Sequence, residues 1–384
     1  MEHTPAPARL VSLDALRGFD MFWILGMEQV AACVAKNVTS GPVHALALQL
    51  DHVAWEGFRF LDLIFPLFVF VSGVSLAFSM SRTLERDGRS VAVRKLLTRF
   101  AILYALGIFY YHGIAGGIEQ VRWVGVLQRI AVCGLAAGVI FCFTNTRARV
   151  AILVSILLGY WALMSFVPVP GGTGGTRGAG GAGGAGGAGE HFVEGPTGNL
   201  ANWFDWRFLP GKRWDGTHDP EGILSTIPAI GTALLGVLAG EYLRDHPDAP
   251  ARKSVRLVLA GVILAALGWA WGLQFPVIKK LWTSSYVLVA GGYSLMLLGA
   301  FHWVIDVRGA RRWATVFVWI GMNPITLYVG EKVLNQLWIV ESVGGGPIAD
   351  AFGGYREAWL AALALGFNIL FAWFLYSRRI FLRA

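Results

Sequence analysis

Charge is scarce in this chain. Only 15% of its 384 residues are Asp, Glu, Lys or Arg, while 55% are hydrophobic. A soluble domain carries roughly 25% charged residues, so the deficit excludes an ordinary water-soluble globule and assigns most side chains to lipid or to neighbouring spans. Cysteine is nearly absent as well. Cys33, Cys133 and Cys142 are scattered through apolar stretches. That excludes a disulfide framework or a thiolate zinc site, and the three read as small buried hydrophobes. No metal-ligand spacing occurs elsewhere, so no metal is expected. The residues before Val11 lack an apolar core, and the first apolar stretch has no small-residue cleavage site, so no secretory signal is expected.

What is present is aromatic and apolar, with 16 Trp and 24 Phe. Apolar runs of crossing length, roughly 17–25 residues each, fall near 14–35, 57–81, 95–113, 121–143, 149–168, 221–243, 255–274, 283–305, 312–332 and 357–377. The expected fold is all-α: a polytopic integral membrane bundle of about ten transmembrane helices, one domain over 1–384. The net charge of +8 would point a soluble chain toward nucleic acid. Here the basic residues cluster between alternate spans, so no nucleic-acid partner is expected. Arg82, Arg86, Arg89, Arg94, Lys95 and Arg99 follow span two, Arg147 and Arg149 span four, Arg252, Lys253 and Arg256 span six, and Arg308, Arg311 and Arg312 span eight. By the Lys/Arg excess of cytoplasmic loops, both termini are expected in the cytoplasm, with Asp51, His52 and the long loop over 169–220 outside.

That loop has two parts. Residues 171–189 form a Gly/Ala tract without the proline of a collagen helix and read as a flexible insert. The stretch from Asn199 to Gly222 combines Trp203, Trp206 and Trp214 with His218, Asp219 and Glu221. Aromatic faces beside carboxylates suit a sugar, so Trp214, His218, Asp219 and Glu221 are substrate-binding candidates, together with Trp55 and Trp282. The competing readings are structural: an interfacial tryptophan belt, and Asp219 and Glu221 favouring a helix N-terminus.

Ionisable groups at membrane depth are costly and mark functional sites by default. Glu28 in span one, Asp62 in span two, and Gln128 and Arg129 in span four are expected in the outer half of the bundle, near His52. Imidazole, with an ordinary pKa near ~6.5, is suited to general-base work at neutral pH. His52, Glu28 and Asp62 are therefore the catalytic candidates. An Arg129–Asp62 ion pair of purely structural purpose competes with that role. Arg17, Lys95 and Arg99 are expected to gather at the inner face, where a basic cluster suits a phosphate-bearing cytosolic donor.

Six motifs in order carry a resemblance. They are Ser12-Leu13-Asp14-Ala15-Leu16-Arg17-Gly18; His52-Val53-Ala54-Trp55-Glu56-Gly57 running on to Asp62-Leu63-Ile64-Phe65-Pro66; Gly125-Val126-Leu127-Gln128-Arg129; Asp219-Pro220-Glu221-Gly222; Lys280-Leu281-Trp282; and Gly321-Met322-Asn323-Pro324 through Tyr328. From about residue 10 to the last span, the chain resembles the heparan-alpha-glucosaminide N-acetyltransferase family, a lysosomal membrane enzyme and its bacterial relatives. The resemblance implies acetyl-CoA as donor substrate, the amine of a terminal glucosamine or another external hexosamine as acceptor, and His52 as the catalytic histidine. Either a covalent acetyl-histidine or a ternary complex fits. It also implies a multi-pass protein of a bacterial inner membrane, with the bilayer and an amino-sugar or oligosaccharide as partners and a homodimer left open. Gln128, Arg129 and Asn323 join Arg17, Lys95 and Arg99 as donor-binding candidates, as hydrogen-bond donors for the tetrahedral oxyanion. Glu28 stands where the lysosomal enzyme has an amide, and Glu331 where it has His, which bears on the acceptor more than on the chemistry. Two alternatives remain: a cell-wall or glycolipid acceptor, and a transporter, since Pro228 and Pro324 interrupt spans.

Overall fold

A computed structural model of the chain describes residues 10–38, 40–171 and 192–381. The Gly/Ala tract beyond Gly171 lies outside the described residues. The helices are α1 (Val11–Phe22), α2 (Glu28–Asn37), α3 (Gly41–Gln49), α4 (Ile64–Tyr110), α5 (Val126–Phe143), α6 (Thr146–Phe166), α7 (Leu200–Phe208), α8 (Ile223–Asp245) and α9 (Pro250–Gly272). They continue with α10 (Ser284–Phe301), α11 (Thr315–Met322), α12 (Pro324–Val333), α13 (Gln336–Gly344), α14 (Pro347–Asp350) and α15 (Arg356–Ser377). No strand occurs among the described residues, only two isolated antiparallel bridges, Glu56 with Ile278 and Arg122 with Gly211. The chain is an all-α polytopic membrane bundle.

Eight helical stretches among the described residues are long and apolar enough to cross a membrane, against the ten expected. Two local features account for the difference. The stretch Phe60–Tyr110 covers the second and third expected spans, two helices joined through the non-helical backbone of Gly88. Its 51 residues would run to about 75 Å as one straight helix, more than twice the hydrocarbon core. The direction breaks at Gly88, whose φ of 79° and ψ of 176° lie where only glycine sits without strain. The ninth expected span is divided at Asn323 into α11 and α12, because Pro324 has no N–H to donate and its ring opposes a continuous helix.

The described residues form two compact units. The first draws on Met1–Leu50, Pro247–Leu259 and Leu295–Arg383. In it α1 packs along α11 and α15 along α2, and a π-helical turn over Trp23–Met27 separates α1 from α2.

The second unit comprises Asp51–His246 and Ala260–Ser294 and carries most of the candidate residues. Here α4 lies directly on α8. A Cβ on Gly73 would strike the backbone of Ala233, and one on Gly236 the backbone of Phe70. Small residues let helices approach closely, which matters in lipid because burial against a neighbouring helix gains no hydrophobic free energy. Above the helices, Tyr160, Met164, Leu200, Ala201, Phe192, Phe275, Ile278 and Leu281 form a buried cluster with Trp55 and Trp203 packed on it. The cluster fixes the segment that enters α10. Tyr160 donates its hydroxyl hydrogen to the Leu281 carbonyl at 2.7 Å, and Thr283 Oγ1 donates to Pro276 O at 2.8 Å. The same segment is tied to the His52 loop by the Glu56–Ile278 bridge and by Gly57 N–H donating to Val277 O at 2.9 Å.

Candidate active site

His52 lies in the loop before α4, with its side chain 45% exposed, and Asp62 lies in the 3₁₀ turn Phe60–Leu63, fully buried. His52 Nδ1 is 2.9 Å from Asp62 Oδ1. Lys279 Nζ is 3.2 Å from the same oxygen and 3.0 Å from Nδ1. Asp62 Oδ2 accepts from Arg59 N at 3.0 Å and Val53 N at 3.3 Å. Two donors on each oxygen match the four acceptor sites of an ionised carboxylate, which is acceptor-only. The hydrogen between His52 and Asp62 therefore sits on Nδ1, and the lone pair of neutral His52 on Nε2. Behind Asp62, Tyr286 donates its hydroxyl hydrogen to the Asp62 carbonyl at 2.7 Å. The side chain, the turn and α10 are thus held together.

Arg129 is 2% exposed and makes no ion pair with Asp62; the expected pair does not form. Its Nη2 donates to Ser225 Oγ at 2.5 Å and to Gly222 O at 3.4 Å, and its guanidinium stands over the Trp282 ring, 4.8 Å from the centroid. Nε and Nη1 have no partner among the described residues. A buried guanidinium with two unpartnered nitrogens, carrying three N–H bonds, is uncommon and calls for an explanation. Trp282 is 1% exposed and has φ of 51°, a strained value for a bulky residue. Its indole N–H donates to Thr232 Oγ1 at 3.0 Å. Trp282 thus faces Arg129 inside the unit and offers no face to solvent.

The carboxylates proposed for a helix N-terminus are engaged elsewhere. Arg122, 5% exposed, donates Nε and Nη2 to the two oxygens of Asp219 at 2.8 and 2.7 Å, and Nη2 also reaches Glu221 at 2.6 Å. Its guanidinium stands over both Tyr111 and Trp214, 4.4 and 4.8 Å from their centroids, and the two rings meet edge to face at 6.4 Å. Burial and the Asp219 charge raise the pKa of Glu221. The start of α8 is capped by Asp205 instead, which accepts from Ile223 N at 2.9 Å. Burial pushes the Asp205 carboxyl up to about 6.

A second polar cluster contains His218, which is 3% exposed. Its Nε2 is 3.4 Å from Glu194 and 3.5 Å from Asp215, and ligand atoms of the three lie within 4.8 Å of one another. Lys280 Nζ lies 2.6 Å from Glu194 and 2.9 Å from Asp215 and supplies positive charge there. Burial pulls the His218 pKa down against those two carboxylates. Trp55 donates its indole N–H to Phe192 O at 2.6 Å and packs on the apolar cluster.

The remaining candidates are dispersed. Gln128 donates Nε2 to Arg122 O at 3.1 Å. Lys95 pairs with Asp87 at 3.0 Å, and Arg99 is half-buried on α4. Glu28, half-buried at the start of α2, belongs to the first unit. So does Arg17, which donates to Gly321 O at 3.2 Å, and so does Asn323, which donates to Ile380 O at 2.9 Å. Lys279, Arg122 and Asp205 were missed by sequence reasoning. For Lys279 the available signal was a lysine pair on a side expected to be external, against the charge rule.

Within the second unit, then, a buried carboxylate holds a half-exposed imidazole in the loop that leads into α4. Residues 9–171 match the family described as heparan-alpha-glucosaminide N-acetyltransferase, catalytic. The chain is 28% identical to heparan-alpha-glucosaminide N-acetyltransferase of Homo sapiens, the match covering 98% of this chain and 60% of that protein. It is also 28% identical to the protein of the same name from Mus musculus, over 86% of this chain and 56% of the relative. The chain therefore spans somewhat more than half the length of these relatives. Over these matched regions the chain is similar to the heparan-alpha-glucosaminide N-acetyltransferase family.

Proposed function

We propose that the chain is a transmembrane N-acetyltransferase, moving the acetyl group of cytosolic acetyl-CoA to the amine of an external hexosamine such as a terminal glucosamine. The observation that carries this reading is the His52 Nδ1 bond to buried Asp62. It orients the ring and directs the Nε2 lone pair to a proton of the acceptor. Protonated amines are not nucleophiles, so a base is required. The neutral amine attacks the thioester carbonyl; a C–N bond forms, the C–S bond breaks, and the proton lost by nitrogen passes through His52 Nε2 to the departing thiolate. The products are an amide and the free thiol. The open N–H groups of Arg129 are the donors best suited to the oxyanion. Lys95 and Arg99 are proposed contacts of the donor's phosphates, with Gln128 beside Arg129. His218 and the aromatic cage around Arg122 are proposed to border the acceptor.

A transporter reading draws on the helix break at Pro324 and on Asp20, whose buried carboxylate oxygens have no partner among the described residues. One assay separates the two. Purified protein in detergent is given acetyl-CoA and a panel of hexosamines, and thiol release is followed. Release that depends on an amino sugar supports the transferase, and none with any acceptor sinks it. His52→Ala should lower turnover by roughly 10²–10⁴-fold, the usual contribution of a general base, with the melting temperature retained. Activity within about tenfold of the parent would remove His52 from the mechanism.

A further inference from the structure

A buried carboxylate beside an imidazole stabilises the imidazolium, which is the wrong form for a base. The charged groups facing His52 from its own loop are Asp51 and Arg59, which pair with each other at 3.4 Å. From the 3₁₀ turn comes Asp62, and from the segment before α10 comes Lys279. With Asp51 and Arg59 offsetting each other, Asp62 and Lys279 are the opposed charges in direct contact with the ring among the described residues. Lys279 Nζ is 3.2 Å from Asp62 Oδ1 and 3.0 Å from His52 Nδ1, close enough to neutralise the carboxylate and to repel a second ring proton.

Its placement is built into the backbone. Ile278, next to it, bridges Glu56, and Val277 O accepts from Gly57 N at 2.9 Å. Ile278 N donates to Thr283 Oγ1 at 3.1 Å. Three residues beyond Lys279, Trp282 holds its left-handed conformation. A flexible, hydrated surface lysine needs none of this support. We infer that Lys279 is a positioning residue whose ammonium cancels the Asp62 charge, so that His52 keeps its Nε2 lone pair at neutral pH while Asp62 still fixes the tautomer. This deepens the acetyltransferase reading by naming what holds the base in its working form.

The test reads His52 directly and does not depend on turnover. Carbethoxylation by diethyl pyrocarbonate follows the neutral imidazole fraction, and the half-exposed ring is accessible to it. The modification rate of the His52 peptide is measured by mass spectrometry across pH for the parent, Lys279→Met, Lys279→Gln and Lys279→Arg. The midpoint should move to higher pH by roughly one unit or more in the Met and Gln variants, the size expected for loss of an adjacent charge, and should stay near the parent in the Arg variant. If Met does not fold, Gln carries the same comparison. A midpoint within about 0.3 unit of the parent in a folded Met or Gln variant overturns the inference, as does an equal shift in Lys279→Arg. Where thiol release is measurable, the acid limb of kcat/KM should move by the same amount. A shifted midpoint in a protein that turns over no acceptor would sink the transferase reading and leave the role of Lys279 standing.

Discussion

Two arginines buried to a similar extent, Arg122 and Arg129, behave differently because of what surrounds them. Arg122 has two carboxylates within 2.8 Å, whereas Arg129 has a hydroxyl, a carbonyl and two nitrogens without a partner among the described residues. Removing one member of a buried pair leaves an uncompensated charge and costs roughly 3–5 kcal/mol. Arg122→Gln and Asp219→Asn should each lower the melting temperature in detergent strongly, and together they should be far less than additive. The parallel cycle of Arg129→Gln with Asp62→Asn should add within about 0.5 kcal/mol, as expected of residues that share no contact. Strong coupling in the second cycle would show that those two meet after all.

At the scale of elements, the start of α8 depends on a side chain distant in sequence. Asp205 on α7 caps α8 through Ile223 N, and burial raises its carboxyl to about 6. The unfolded chain has an ordinary Asp near ~3.9, so between about pH 4 and 6 the folded form holds a proton that the unfolded form has lost. Stability from this group is therefore complete below about pH 4 and declines as pH rises through the folded value. Asp205→Asn, which keeps an acceptor and loses the titration, should flatten that part of the profile. Thermal melts of the two proteins between about pH 4 and 7 check it. Parallel curves would mean that Asp205 does not titrate there.

The whole molecule bears on sidedness. Within the second unit, the segments around His52, Arg122, Asp219 and Lys279 lie together, joined by the Glu56–Ile278 and Arg122–Gly211 bridges and by the Arg122–Asp219 pair. Helices alternating in direction would bring these four connections to one side, in keeping with the span order read from the sequence. The excess of Lys and Arg in the other connections is the reason to propose that this side is external. The three native cysteines are buried, so single cysteines can be introduced and labelled selectively. Glu119→Cys and Trp214→Cys should react with an impermeant maleimide in intact cells, and Arg147→Cys and Asp245→Cys only after lysis. The reverse pattern would invert the proposed orientation of donor and acceptor.

Apolar run length and composition determined the helical membrane class, because a backbone crossing lipid must satisfy its own hydrogen bonds and needs a set number of residues to do so. They also brought His52 and Asp62 into one short stretch, since only ten positions separate them. Composition could not show that the turn between spans two and three would be made at Gly88, because φ and ψ at a glycine are chosen by its surroundings. Nor could it choose the partners of the buried charges. Asp62 took Lys279, from 217 positions away, in place of Arg129, and Arg122 took Asp219, 97 positions away. Depth along a span is a one-dimensional property and can be counted from the sequence. Which helix faces which, and so which charge is neutralised, is decided only when the helices pack.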